Sequence, residues 1–466
     1  MRCFLVITCL ILKSVEAFIH PITIRGKSFV DSVTQEPFFI KGVDYQPGGS
    51  SGVTDTKDPL SDPKECVRDI IMLQDLGINT IRIYSINADL NHDICMSMLA
   101  AAGIYLVLDV NSPLPNHHLN RNEPWKTYNE QYLKNIYKVV EQFSYYNNTL
   151  GFFAGNEIVN DKISAKNSPT YVKAVIRNLK KYIDYNSPRQ IPVGYSAADD
   201  LDYRVSFSEY LECVDDSVTD SVDFYGVNSY QWCGEQTFYT SGYNILANDY
   251  SSFSRPVFLS EYGCNEVLPR RFDEVQTLYS SKMNKIFSGG LVYEYSQEPN
   301  NYGLVSILDN GDIKVLPDFI ALKSQFESLP LIDNYQFIQN TLGNLKGSQK
   351  SSLPKCKKTY SNLNIDKTVP KIANDPMYSN IDVERGKYVE LNEDDLISSY
   401  NILNYKGEPY AVDDSMEIIF DHMSGAEIVR NNKNDKERNS GSSPSIHNLL
   451  SKLLVYLIVL EITLWL

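Results

Sequence analysis

Leu150-Gly151-Phe152-Phe153-Ala154-Gly155-Asn156-Glu157 is a run of apolar residues closed by an amide and a carboxylate. An uninterrupted apolar run of this length fits a strand buried on both faces, as strands of a parallel sheet are. Seven further runs share the pattern: Pro37–Tyr45, Asn79–Ser85, Ile104–Val110, Ile191–Ser196, Asp223–Tyr230, Pro256–Gly263 and Gly289–Ser296. Helical stretches lie between them. Asp62-Pro63-Lys64-Glu65 caps one that runs to Leu76-Gly77, with the proline in its first turn. Asn91 to Ala102 is a second, closed by Gly103. Tyr128–Tyr145 and Pro169–Tyr185 carry apolar residues at helical spacing. Eight strand–helix repeats predict an α/β fold, a (β/α)8 TIM barrel. An open doubly wound sheet lacks support, because no Gly-x-Gly-x-x-Gly follows the first strand.

The chain has 466 residues, 43% of them hydrophobic and 22% charged, an ordinary globular composition. Its net charge of −15 argues against nucleic acid as a partner, since phosphate recognition needs a basic footprint. Tyrosine is abundant, 32 against three tryptophans. A tyrosine ring offers an apolar face with a polar tip, which suits sugar surfaces as well as barrel packing.

Both ends read as addresses. Met1-Arg2-Cys3, the apolar run Phe4–Leu12 and Val15-Glu16-Ala17 form a secretory signal, with cleavage expected after Ala17. Leu449–Leu466 is apolar apart from Ser451, Lys452, Glu461 and Thr463. The small residues Asn439-Ser440-Gly441-Ser442-Ser443 and a polar spacer precede it, which is the signal for a glycosylphosphatidylinositol anchor with Asn439 as the attachment site. A transmembrane helix is the competing reading, but Lys452 and Glu461 would each cost about 3 kcal/mol at a bilayer centre. Trimming both ends removes Arg2, Lys13, Lys452, Glu16 and Glu461, so −15 becomes −16. It also leaves six cysteines, Cys66, Cys95, Cys213, Cys233, Cys264 and Cys356. In a secreted chain these imply up to three disulfides, and spacing does not choose among the pairings. A zinc site is disfavoured, as no Cys-x2-Cys pair exists. Asn147-Asn148-Thr149 makes Asn147 an N-glycosylation candidate. The expected divisions are a signal at 1–17, a catalytic barrel at 18–356, a partly ordered extension or stalk at 357–439 and an anchor propeptide at 440–466. Within the extension, pieces such as Val412–Phe420 have strand character, but nothing sustains a core.

Barrel chemistry sits at the C-terminal ends of the strands. The residues there are Asp44-Tyr45-Gln46, Arg82 and Tyr84, Asp109 and Asn111, Asn156-Glu157, Asn228 and Tyr230, Glu261 and Tyr262, and Tyr293-Glu294. Glu157 and Glu261 stand out, each closing an apolar run where a carboxylate has no packing role. Strands four and seven are expected across the barrel from one another. Two such carboxylates can flank a glycosidic bond, and retaining glycosidases need them about 5–5.5 Å apart, one protonated and one ionised. Asn156 is placed to hydrogen-bond a sugar 2-hydroxyl, and Tyr230 and Tyr293 to hold the nucleophile. The alternative is a structural pairing of both glutamates with Arg82.

Several motifs together resemble a known family. They are Lys41-Gly-Val-Asp-Tyr-Gln-Pro-Gly48, Asn79-Thr-Ile-Arg-Ile-Tyr-Ser85, Phe153-Ala-Gly-Asn-Glu157, Tyr230-Gln-Trp-Cys-Gly234, Phe258-Leu-Ser-Glu-Tyr-Gly-Cys264 and Gly289-Gly-Leu-Val-Tyr-Glu-Tyr-Ser-Gln-Glu298. The stretch from Phe18 to Cys356 resembles the fungal GPI-anchored β-1,3-glucanosyltransferases, the Gas/Gel/Phr proteins of glycoside hydrolase family 72. The resemblance implies Glu157 as general acid/base and Glu261 as nucleophile. It implies substrate contacts from Gln46, Tyr84, Asp109, Asn156, Tyr230 and Tyr293, and disulfides Cys66–Cys95, Cys213–Cys356 and Cys233–Cys264. It further implies β-1,3-glucan donor and acceptor chains, no metal or organic cofactor, a monomer, and a site at the outer face of the plasma membrane. Many members carry a cysteine-rich carbohydrate-binding module after the barrel. No cysteine follows Cys356, so the chain resembles the subgroup without it, some of whose yeast members act in spore-wall assembly. A hydrolytic endo-β-1,3-glucanase and a catalytically silent glucan-binding wall protein are the alternatives.

Overall fold

The computed structural model describes residues 19–215, 217–330, 353–365 and 368–420, with the backbone of 421 and 426–427. Eight parallel strands close into a barrel: β1 (Ile40–Asp44), β2 (Thr80–Ile83), β3 (Tyr105–Asp109), β4 (Thr149–Asn156), β5 (Val193–Ala198), β6 (Phe224–Asn228), β7 (Val257–Tyr262) and β8 (Phe287–Val292). They follow chain order, and β8 pairs with β1 to shut the ring. The eight apolar runs are these strands. The eighth differs most in its bounds: β8 begins at Phe287 and stops at Val292, because Tyr295 and Ser296 turn away to pair with Asp44 and Val305. At the closing seam Gly289 has φ 90°, and a Cβ there would lie 2.0 Å from Ile40 O. Only glycine fits that approach. Strands β4 and β7 stand three steps apart around the ring, with β5 and β6 between them, rather than directly opposite.

Helices cover the outside. The first, Pro63–Asp75, is capped by the Asp62 side chain and ends before Gly77 at φ 71°. Asp93–Ala101, Glu130–Phe143 and Pro169–Asn186 follow, as their spacing predicts. Apolar burial divides into a large layer between strands and helices and a smaller one inside the barrel. Phe29, Phe153, Phe224 and Phe258 fill the inner layer with ring centroids 5.3–6.0 Å apart. Phe29 comes from an antiparallel ribbon, Ile22–Arg25 with Ser28–Asp31, which stoppers the floor. With the floor apolar, the polar strand ends collect at the opposite mouth.

Among the described residues three disulfides form: Cys66–Cys95, Cys213–Cys356 and Cys233–Cys264. The last joins the loops after β6 and β7.

Beyond Cys356 the described chain, an extension with little regular structure, lies against the barrel through 420. It runs backwards across the helices. Tyr360 packs on Tyr210 at 5.4 Å, and Asp375 accepts from Asn178 at 2.6 Å and Tyr137 at 3.0 Å. Arg385 pairs with Glu141 at 2.7 Å, and Val389 N donates to Ser97 at 3.0 Å. Tyr410 donates to Asp75 at 3.0 Å, and Ile419 N to Ala101 O at 2.7 Å. Val412–Phe420 is not a strand: only Ser415 bridges, to Ile397, and Phe420 begins a two-residue pair. Ile402–Leu403 instead adds to the hairpin strand Ile313–Val315. Among the described residues no helix is long and apolar enough to cross a membrane. The expected signal at 1–17, Asn439 and the propeptide at 440–466 lie outside the described residues.

Candidate active site

Glu261 lies in β7 near its mouth end and is 7% exposed. Its Oε1 accepts from Tyr84 Oη at 2.8 Å and from Arg82 Nη1 at 3.3 Å. Its Oε2 accepts from Tyr230 Oη at 2.7 Å. Burial, with the nearby charge of Glu157 adding, pushes Glu261 up to about 6, while Arg82, Tyr230 and Tyr84 act against the rise. Burial also lifts both tyrosines well above their ordinary range, so their hydroxyls stay protonated and donate. The carboxylate is thus buried with donors on both oxygens, the arrangement that keeps a buried charge ready for use.

The proposed nucleophile holders were Tyr230 and Tyr293. The structure gives that contact to Tyr230 and Tyr84. The Tyr293 hydroxyl accepts from Asn300 at 3.2 Å instead. Its ring stands edge-on to Tyr84 (6.3 Å), Tyr230 (6.2 Å) and Tyr302 (5.1 Å). These four rings form one aromatic wall around Glu261. Tyr302 escaped the sequence reading, because it lies in a loop after β8 with no strand pattern to mark it.

Arg82 is wholly buried. Its Nε and Nη2 meet Asp109 Oδ1 at 3.1 Å and Oδ2 at 3.0 Å. Asp44, its ladder partner, lies 3.9 Å away with no hydrogen bond on either oxygen among the described residues, and burial raises its carboxyl well above the usual range. The structural pairing with Arg82 therefore exists for Glu261 and Asp109, while no contact joins Arg82 to Glu157 among the described residues. Asp109 spends both oxygens on Arg82. Gln46, 2% exposed, spends its side chain on the backbone of Tyr84 and Ser85. Both side chains are buried, and their hydrogen bonds run to β2 and the residues that follow it.

Glu157 follows β4 and is half-buried. It has φ 48°, a left-handed conformation that costs a residue with a Cβ about 1–2 kcal/mol. The bend is held by its N–H to Ser196 O at 2.9 Å and by Asn228 Nδ2 to its Oε1 at 2.9 Å. Asn228 is also the ladder partner of Glu261, so one residue sits beside both carboxylates. Sequence reasoning noted Asn228 at the end of β6 without giving it a task. Asn156 accepts from Asn228 at 3.0 Å through Oδ1, and its Nδ2 has no partner among the described residues.

Known proteins resemble this chain over most of its length. Residues 11–330 match the family model described as glucanosyltransferase. The chain is 54% identical over 439 residues to 1,3-beta-glucanosyltransferase GAS4 of Saccharomyces cerevisiae, covering 92% of each. It is 53% identical over 320 residues to 1,3-beta-glucanosyltransferase gel2 of Aspergillus fumigatus, covering 69% of this chain and 67% of that one. Saccharomyces cerevisiae Gas2p in complex with laminaripentaose superposes with a TM-score of 0.66 at 40% identity, over 74% of this chain and 76% of that one. A barrel with two mouth glutamates, matched over most of its length to such relatives, belongs to the glucanosyltransferase family, glycoside hydrolase family 72.

Proposed function

We propose that this chain is a retaining 1,3-β-glucanosyltransferase that elongates β-1,3-glucan by double displacement. The observation that carries the reading is Glu261, buried and held by three donors, with Glu157 positioned through Asn228 beside it.

Glu261 attacks the anomeric carbon of an internal glucose. The bond from that carbon to the 3-oxygen breaks, Glu157 gives that oxygen its proton, and the reducing-end piece leaves. A glucosyl ester on Glu261 remains. Glu157, now a carboxylate, takes the proton from the 3-hydroxyl at the non-reducing end of another chain. That oxygen attacks the anomeric carbon and frees Glu261. Asn156 meets the 2-hydroxyl of the reacting sugar through Nδ2, and Tyr84, Tyr230, Tyr293 and Tyr302 provide the apolar face. Gln46 and Asp109 serve by holding strand β2. A wall of rings next to the ester favours a sugar acceptor over water.

Incubation with a defined laminari-oligosaccharide tests this. Products longer than the substrate are expected. Only shorter products would establish a hydrolase, and binding without cleavage a silent wall protein.

The same reading includes secretion through residues 1–17, an anchor at Asn439 holding the protein outside the plasma membrane, and a glycan at Asn147. Three disulfides support an oxidising compartment.

A further inference from the structure

Asn228 is 4% exposed, and four groups converge on its side chain. Nδ2 donates to Glu157 Oε1 at 2.9 Å and to Asn156 Oδ1 at 3.0 Å. Oδ1 accepts from Ser196 Oγ at 3.0 Å and Ser260 Oγ at 2.7 Å. The two serines stand on β5 and β7, the strands either side of β6. Turning the amide round would set Oδ1 against the acceptor oxygen of Glu157, protonated on its other oxygen or ionised, and against the side-chain amide oxygen of Asn156. Electrostatics therefore fixes which end faces Glu157. In a carboxylic acid the carbonyl-type oxygen is the better acceptor, so an N–H on Oε1 leaves the hydrogen to Oε2. Oε2 has no hydrogen-bond partner among the described residues.

We infer that Asn228 is the positioning residue of the acid–base step, turning Glu157 so that Oε2 is the atom that delivers and recovers the proton. The inference rests on reading Glu157 as the acid/base. In the first half-reaction the hydrogen leaves Oε2 for the departing 3-oxygen, which keeps the electron pair of its broken bond to the anomeric carbon. Glu261 supplies the pair for the new bond at that carbon. In the second, the hydrogen of the acceptor 3-hydroxyl passes to Oε2 as its oxygen displaces Glu261.

Two donors separate this role from a structural one. An unsubstituted laminari-oligosaccharide needs its leaving oxygen protonated, whereas the 2,4-dinitrophenyl glycoside of such an oligosaccharide does not. Asn228→Ala is expected to lower kcat/KM on the first by about 10- to 100-fold, part of the ~10²–10⁴ that acid–base catalysis supplies, and on the second by less than about threefold. Equal losses on both donors mean that Glu261 or the fold was disturbed and overturn the inference, as does no loss on either. Glu157→Ala reports on the underlying reading. If it also loses both donors equally, Glu157 is not the acid, and the error lies there rather than with Asn228. Should Asn228→Ala fail to fold, Ser196→Ala combined with Ser260→Ala keeps the amide but frees its Oδ1. The same donor-selective loss is expected in smaller measure, and a donor-independent effect overturns the inference.

Discussion

Arg82 and Asp109 form a two-pronged pair shut away from solvent, Nε to Oδ1 at 3.1 Å and Nη2 to Oδ2 at 3.0 Å. The pair faces one edge of the guanidinium and leaves Nη1 for Glu261. Removing one member of a buried pair strands the other's charge, at about 3–5 kcal/mol. Asp109→Ala is therefore expected to lower unfolding free energy by that order and to reduce kcat, because Arg82 loses its hold. Denaturant melts with kinetics check it. Weakened substrate binding at unchanged stability would instead make Asp109 a substrate contact.

The acid limb of activity belongs to Glu261. It must be ionised to attack, and its carboxyl is raised to about 6. Activity is expected to fall tenfold per pH unit below that value. Tyr230→Phe and Tyr84→Phe each remove a hydrogen bond that favours the charged form, so the limb should move to higher pH. A bond to a charged group is worth about 1.5–3 kcal/mol, so losses of about 10- to 100-fold in kcat/KM are expected if the transition state feels most of it. The pH dependence of kcat/KM for both variants decides the matter, and an unmoved limb would assign it to another group.

Glu261→Gln keeps the shape of the side chain, exchanges one of its two acceptor oxygens for an NH2 donor and cannot form the ester. It should be folded by circular dichroism and show no cleavage or transfer of laminari-oligosaccharides. Surviving transfer would place the nucleophile elsewhere.

The Cys213–Cys356 bridge closes a span of 143 residues. Loop-closure entropy alone assigns it about 5 kcal/mol, against about 4 for each of the shorter bridges. Replacing both cysteines by serine should lower the unfolding midpoint more than doing so at Cys66 and Cys95, which enclose 29. Parallel thermal melts measure this, and an equal or smaller effect would show that the hydrogen bonds beyond Cys356 hold the segment by themselves.

The barrel was legible because parallel strands bury both faces and so write uninterrupted apolar runs. The polar residues closing those runs named Glu157 and Glu261 directly. Their surroundings were harder to read, since strand position tells which end a side chain occupies but not where its tip arrives. Tyr84 and Tyr293 each follow a strand end, yet only Tyr84 reaches Glu261. Gln46 and Asp109 look from their positions like groups facing a ligand, and only coordinates reveal that their polar atoms are already engaged. The stretch after Cys356 reads as a partly ordered extension, and its attachment to the helices was hidden for a different reason. Composition reports that a segment cannot build a core of its own. Asp375, Arg385 and Tyr410 are polar because they bond to helices already in place, a partnership that no local pattern records.

That backward course also sets a direction. By Ile419 and Phe420 the chain has reached Ala101 and Gly103, in the turn leading into the start of β3. This is the stoppered end of the barrel, remote from the glutamates. The extension therefore finishes its described course with the mouth uncovered, and a long glucan entering there does not meet it.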